Sequence, residues 1–149
     1  MEKSAVKNFM GKLLREDIFD DFCVRTVDIL TNTRFSVDGT IVKETIEDGD
    51  EKQKKSTHTT WGALRPMLFE IIKISSKPRQ FKIVFSFKNP LDLHNNAAAL
   101  FLNFVYENDS ISFTTASAQK DFALDKTLDI TWEEWVRNFL KDYHVKNRE

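Results

Sequence analysis

The stretch that decides the fold runs from Trp61 to Phe87 and reads WGALRPMLFEIIKISSKPRQFKIVFSF. Its first half repeats apolar residues at the spacing of a helix face, at Leu64, Leu68, Ile71 and Ile72. Its second half alternates with the period of a strand and places Phe81, Ile83, Phe85 and Phe87 on one face. Because only a short link separates the two patterns, we expect the helix and the strand to pack on each other.

Pro66 bears on where this helix begins. A proline inside a helix removes one backbone hydrogen bond and clashes with the preceding turn, whereas the first helical turn tolerates it. We therefore expect a short turn over residues 61–65 and a regular helix from Pro66 to Ile74. A single kinked helix is the alternative.

Before this stretch, the sequence predicts a helix and a hairpin. Residues 4–15 carry the apolar pattern of an amphipathic helix, and the acidic segment 16–23 reads as a turn with buried phenylalanines rather than a metal site. A strand ending at Val37 is followed by Asp38-Gly39, which is typical of a type I′ hairpin turn, and by a second strand over residues 40–46. Residues 47–60 are polar and predict a surface loop in which His58 is solvated.

A second hairpin is predicted at residues 108–109, between strands over residues 97–107 and 110–116. The first of these strands is apolar on both faces, which is typical of a central strand. The turn sets two pairs of large apolar side chains opposite each other: Tyr106 with Ile111, and Phe104 with Phe113. Phe122 and Leu124 are expected to add a short edge strand.

The last helix is predicted over residues 131–144, with Thr131 and Glu134 as a capping box and Ile130 and Trp135 as a hydrophobic staple. An earlier start, at Asp125, is the alternative because Leu128 continues the apolar stripe. The element order is α-β-β-α-β-β-β-α. We therefore expect one domain over residues 1–149, of the α+β class, with a single antiparallel, curved sheet of five or six strands and helices packed on one face.

Composition narrows the function classes. The formal net charge of the 149 residues is -1, which argues against a protein that holds nucleic acid by bulk charge. No apolar run reaches the roughly 20 residues that cross a bilayer, and the polar first 12 residues do not predict a signal peptide. A single cysteine, Cys23, fits a reducing compartment. We expect a cytoplasmic protein without membrane contact.

Motifs for catalysis are not found in the sequence. Four scattered glycines do not form a phosphate-binding loop, and His58, His94 and His144 lack metal-ligand spacing. Cys23 could be a nucleophile, but a buried structural cysteine is the preferred interpretation. We expect no catalytic residue, no metal and no cofactor.

One region has a local excess of positive charge. The candidate binding residues in it are Arg65, Glu70, Lys73, Lys77, Arg79 and Lys82. Basic residues beside exposed aromatic rings can bind nucleic acid or an acidic partner. Phe81 and Phe85 occupy core positions of the strand, however, so a solvated basic edge is preferred. Glu70 is either an acid in a cleft or, as we prefer, an i,i+3 partner of Lys73.

Three segments carry a family resemblance. They contain Phe9, Met10, Leu13 and Leu14; Trp61, Leu64, Arg65, Pro66, Phe69, Glu70 and Lys73 with the strand to Phe87; and Leu124, Asp125, Lys126, Leu128, Trp132, Glu134 and Trp135. Together they resemble a small bacterial family of uncharacterised proteins, mostly from anaerobic Firmicutes. That family is a domain of unknown function, so the resemblance implies no activity, cofactor or catalytic residue.

Three functional hypotheses follow. The preferred one is a non-catalytic intracellular binding or accessory domain, for which a protein partner is one option. The second is a nucleic-acid-binding domain that uses the basic region from Arg65 to Lys88. The third is a small-ligand carrier or small enzyme with a cavity between the sheet and the C-terminal helix, and it requires an opening near Glu70 rather than a filled core.

Overall fold

Three α-helices and six strands form the described part of the computed structural model, which comprises residues 3–42, 57–75, 77–143 and 145–148. The helices are α1 (Lys3–Arg15), α2 (Trp61–Ile74) and α3 (Thr127–Leu140). The strands are β1 (Cys23–Leu30), β2 (Arg34–Asp38), β3 (Gln80–Ser86), β4 (Ala97–Glu107), β5 (Ser110–Gln119) and β6 (Lys146–Asn147).

All six strands belong to one sheet in the order β2-β1-β3-β4-β5-β6. The first five pair antiparallel, and the two-residue β6 pairs parallel to β5 at Ser112 and Phe113. The predicted α+β fold with a single antiparallel sheet is therefore confirmed. The sixth strand comes from the C-terminal segment rather than from residues 122–124.

The apolar face of the sheet forms the core together with the helices. Phe81, Ile83 and Phe85 of β3 are all buried, as their alternation predicted. Each helix contributes a ring to this face, with centroid distances of 5.5 Å for Phe9–Phe104, 5.3 Å for Trp61–Phe85 and 5.4 Å for Trp132–Phe87. Such edge and tilted ring contacts add to the stabilisation from apolar burial. Helix and strand of the deciding stretch thus pack on each other.

Two buried tryptophans form hydrogen bonds from the indole N–H to backbone carbonyls of neighbouring elements. Trp61 Nε1 donates to the Leu13 carbonyl over 2.8 Å, and Trp132 Nε1 donates to the Phe101 carbonyl over 2.8 Å. Each bond satisfies a donor that burial would otherwise leave unpaired. α2 is thereby tied to α1, and α3 to β4.

α2 begins at Trp61 and runs continuously through Pro66, so the prediction of a regular helix starting at the proline is wrong. Trp61 is fully buried, and its backbone N–H donates to the Phe22 carbonyl over 2.9 Å. The tertiary contacts of Trp61 offset the cost of a proline in the helix interior.

The hairpin predicted at Asp38-Gly39 is wrong. β1 turns at residues 31–33 into β2, where the Thr31 side chain bonds the backbone of Thr33. Gly39 does not adopt the left-handed φ of a type I′ turn; instead, a Cβ at this position would lie 1.8 Å from the Val24 carbonyl oxygen. The glycine is required because the two backbones approach closely. Of the predicted return strand over residues 40–46, residues 43–46 lie outside the described residues.

The second hairpin is confirmed. Asn108 and Asp109 have φ angles of 54° and 60°, which is the left-handed pair that a type I′ turn requires. The register sets Tyr106 opposite Ile111 and Phe104 opposite Phe113, as predicted.

α3 begins at Thr127, one turn before the predicted capping box. Thr131 and Glu134 therefore lie inside the helix, and Ile130 is 52% exposed, so neither the box nor the staple forms. The earlier start is explained by burial, since Leu128 adds one turn to the buried stripe of Trp132, Val136 and Leu140. The helix ends at Leu140, so the predicted end at His144 is wrong.

The edge strand predicted around Phe122 and Leu124 is wrong. Both side chains project into solvent, at 86% and 85% exposure. The backbone of the preceding residues is held by two side-chain amides. The Asn96 amide hydrogen-bonds to the backbone N–H and carbonyl of Asp121, and the Gln119 amide hydrogen-bonds to the backbone N–H and carbonyl of Ala123. We call residues 121–124 the apolar ridge.

Candidate functional site

A cavity of about 760 Å³ opens where the start of β1, the end of β3, the start of β4 and residues 57–60 meet. Its described lining consists of Cys23, Arg25, Ile41, Thr57, His58, Thr59, Thr60, Ala63, Ser86, Phe87, Lys88, Asn89, Pro90, Ala98 and Ala99. We call this opening the cationic cavity, because Arg25 and Lys88 are the charged residues of its described lining.

Backbone pairing places residues 57–60 at the cavity. The Val24 N–H donates to the Thr59 carbonyl over 2.8 Å, and the Thr59 N–H donates to the Gly39 carbonyl over 2.8 Å. The segment thus extends the edge of the sheet beside β1. His58 is held half-buried at the wall as a result, which differs from the solvated histidine that its polar sequence context predicted.

The charged groups of the lining are cationic. Arg25 and Lys88 both face the opening, and no aspartate or glutamate occurs among its described lining residues. The Arg25 guanidinium lies 5.3 Å from the centre of the Phe101 ring, and its buried Nε has no hydrogen-bond partner. Arg25 forms no ion pair with any carboxylate in the described ranges. A fixed positive charge therefore stands at the wall without a counter-ion from those ranges.

His58 is the histidine of the cavity lining. Its partial burial and the charge of Arg25 lower the pKa of His58 below its ordinary value, against the opposing effect of Asp38. Its Nδ1 lies 2.8 Å from the Thr57 hydroxyl oxygen. A lowered pKa favours the neutral imidazole, so Arg25 and Lys88 are the lining residues that supply the positive field.

Cys23 also lines the cavity, with a free thiol. Partial burial raises the pKa of Cys23, although Lys88 and Arg25 act in the opposite direction. Because the thiolate is the nucleophilic form, a raised pKa disfavours nucleophilic catalysis by this residue.

A second opening, of about 470 Å³, lies beside the first, under the C-terminal half of α3. Its lining consists of Ile18, Asp21, Phe22, Phe87, Lys88, Asn89, Asp92, Trp135 and Phe139. The rings of Trp135 and Phe139 stack with centroids 5.2 Å apart, and Phe87 meets Trp135 edge-on at 5.1 Å. We call this opening the aromatic cleft.

Two of the six candidate binding residues from the sequence are engaged by carboxylates. Arg65 donates from Nε and from its terminal nitrogen to the two oxygens of Asp20, both over 2.8 Å. Lys77 lies 2.5 Å from Asp109, at the β4–β5 turn.

The other four are spread over different surfaces. Glu70 and Lys73 are exposed on α2, Arg79 is exposed before β3, and Lys82 points to the sheet face opposite the helices. The predicted pair of Glu70 with Lys73 is not among the ion pairs of the described residues. None of the six lines either opening, whereas Lys88, which ends the predicted basic region, lines both.

The sequence did not point to the cavity residues Arg25 and His58. Arg25 and Cys23 lie on β1, and backbone pairing brings Lys88, which follows β3, and His58, from residues 57–60, to the same place. A local sequence signal existed only for Lys88, as part of the basic region.

Within the described ranges, no cluster of three His, Cys, Asp or Glu side chains is placed to hold a metal ion. None of the helices in those ranges combines the length and the apolar character needed to cross a bilayer.

The chain thus combines an α+β fold with a cavity whose charged lining residues are cationic. A family model described as a family of unknown function (DUF5721) matches residues 12–147, and the chain belongs to this family. No curated protein and no solved structure matches the chain.

Proposed function

We propose that the protein is a non-catalytic cytoplasmic binding domain that holds a small anionic ligand in the cationic cavity. The observation that carries this proposal is the Arg25 guanidinium, which faces the cavity with a buried, unpartnered Nε and no described counter-ion. Leaving a buried donor without a partner costs about 1–3 kcal/mol. An anion that accepts from Arg25 Nε removes this cost, and one that accepts from any nitrogen of the guanidinium gains a charge-assisted hydrogen bond.

The surroundings of Arg25 support an anion rather than a neutral ligand. Lys88 adds a second positive charge, and hydroxyl groups of Thr57, Thr59 and Thr60 offer neutral hydrogen bonds. The start of α2 adds little, because the Trp61 and Gly62 N–H groups already donate to the Phe22 and Asp20 carbonyls. The attraction therefore comes from side chains, and it weakens with salt to the extent that Lys88 is exposed.

The size of the cavity suits a small molecule. About 760 Å³ falls within the range of roughly 300–1,000 Å³ that small-molecule sites occupy. The raised pKa of Cys23 argues for binding without covalent chemistry. The unpaired thiol of Cys23 also supports the cytoplasmic part of the proposal.

Calorimetric titration of the full chain with inorganic phosphate, pyrophosphate and citrate at low salt tests the proposal. We expect binding by at least one of these anions, with affinity lowered about tenfold or more by Arg25→Gln and by Lys88→Gln. Lys82→Gln is the matched control, because it removes the same charge from the exposed sheet face. No binding by any of the three anions, or equal loss in the Lys82 control, would contradict the proposal.

We also propose that residues 1–149 form one domain.

The nucleic-acid hypothesis from the sequence stays a prediction. A nucleic-acid interface over Arg65–Lys88 predicts a salt-dependent shift with short RNA or DNA that is lost when Lys77 and Arg79 are reversed to glutamate. Since Arg65 and Lys77 already pair with carboxylates, we place the anion at Arg25 instead.

A further inference from the structure

We infer that the ligand is an amphipathic anion, with its charged group in the cationic cavity and an aromatic or other apolar group in the aromatic cleft. This inference rests on the proposed function and specifies the class of ligand. The two openings share a wall, because Phe87, Lys88 and Asn89 line both. A ligand anchored at Arg25 that extends past Lys88 therefore meets the aromatic rings.

The aromatic cleft has the lining of a site for an apolar group. Trp135 and Phe139 are half-buried, so their stacked rings remain partly open to solvent at the cleft, and Phe22 meets Phe139 at 5.7 Å. An aromatic ligand group placed there removes apolar surface from water on both partners and continues the existing ring contacts.

The two tryptophans of α3 differ in a way that supports this assignment. Trp132 is buried, and its indole N–H is bonded to the Phe101 carbonyl. Trp135, three positions later, is half-exposed, and no described residue accepts from its indole N–H. Trp132 therefore belongs to the core, whereas Trp135 presents both a ring face and a donor to the cleft.

Charge fixes the orientation of the ligand. The cleft carries Asp21 and Asp92, whereas the cationic cavity has no described carboxylate in its lining. An anionic group is therefore repelled from the cleft and attracted to the cavity. Anions with a negative charge at both ends fit this arrangement less well than anions with one charged and one apolar end.

The test compares phosphate with phenyl phosphate on the wild-type full chain by calorimetry. We expect phenyl phosphate to bind about tenfold or more tightly than phosphate. Equal affinities would overturn the inference and leave the proposed function standing. Absence of binding by either anion, in a chain whose fold is verified by circular dichroism, would overturn the inference, and it would overturn the proposed function as well if pyrophosphate and citrate also fail to bind.

Variants locate the phenyl group. Trp135→Ala and Phe139→Ala should reduce phenyl phosphate to the affinity of phosphate while leaving phosphate itself unchanged. Ile130→Ala, which removes an exposed apolar side chain elsewhere on α3, is the matched control. If the advantage of phenyl phosphate survives in a folded Trp135→Ala protein, the ring binds elsewhere and the inference fails. Because the wild-type comparison needs no variant, the inference can be tested even if a substitution prevents folding.

Discussion

Arg65 and Asp20 are 45 positions apart in the chain and form a two-point ion pair, with two nitrogen–oxygen distances of 2.8 Å. Their side chains are only 19% and 25% exposed. The pair connects the first turns of α2 to the segment that follows α1. The planar fork of arginine matches a carboxylate at two points, so this contact is more specific than a surface ion pair.

Asp20→Ala should lower the free energy of unfolding by about 1–3 kcal/mol, because it leaves a largely covered guanidinium without its acceptor. Urea denaturation measures the change. The control is Arg34→Gln, which removes an ion pair with Asp28 whose arginine is 57% exposed and should cost less than about 0.5 kcal/mol. Similar losses in the two variants would contradict the special role of the Arg65 pair.

Gly39→Ala should be strongly destabilising, by about 3 kcal/mol, because its Cβ would lie 1.8 Å from a backbone oxygen of β1. Gly11→Ala is the matched control with the opposite sign. Its Cβ would meet only the movable end of the Arg15 side chain, and alanine favours a helix interior by about 0.5–1 kcal/mol. Thermal unfolding of both variants tests this, and a tolerated Gly39→Ala would show that the strands can separate at this point.

Stability should fall in acid partly through His58. Since the folded-state pKa of His58 is lowered, the folded protein binds fewer protons there than the unfolded chain. The contribution of His58 to the free energy of unfolding is present above its unfolded-state pKa of about 6.5. This contribution is lost as the pH falls through the lowered folded-state pKa. Urea denaturation from pH 8 to 5 should show a weaker pH dependence in His58→Gln than in the wild type. An unchanged dependence would contradict the assignment.

Cys23 should react slowly with a thiol reagent such as iodoacetamide at pH 7.5, because its pKa is raised and the reagent requires the thiolate. The rate should increase toward higher pH, and urea-unfolded protein provides the reference for an unperturbed cysteine. If phosphate occupies the cationic cavity, saturating phosphate should slow the reaction further. Rapid modification of the folded protein at neutral pH would contradict the raised pKa.

Patterns local in sequence predicted much of the fold. The alternation over Phe81–Phe87 and the turn at Asn108-Asp109 each identified a strand or register that the structure confirms. The hairpin prediction at Asp38-Gly39 was wrong because the same dipeptide occurs both in tight turns and where two backbones approach closely. Only the packing of Gly39 on Val24 shows that the second case applies here. The start of α3 was misplaced because burial of Leu128 outweighed the capping pattern at Thr131.

The candidate site was much harder to predict, for a physical reason. Arg25 and Lys88 approach each other only through the pairing of β1 with β3, and His58 joins them through its bridge to Thr40. The charge excess around Arg65 was visible in the sequence, but its neutralisation by Asp20 depends on tertiary structure. Local charge therefore indicated a region, whereas the unpaired cation is defined by contacts between distant segments.

The apolar ridge has a consequence for how the protein behaves in concentrated solution. Phe122 and Leu124 are held outward by the bonds that Asn96 and Gln119 make to their neighbours, so neither can withdraw when water becomes a poor solvent for them. Sulfate salts strengthen the association of such surfaces. Replacing Phe122 with serine should raise the ammonium sulfate concentration at which the protein precipitates. That result would identify the apolar ridge of the wild-type protein as the first point at which molecules associate during crystallisation.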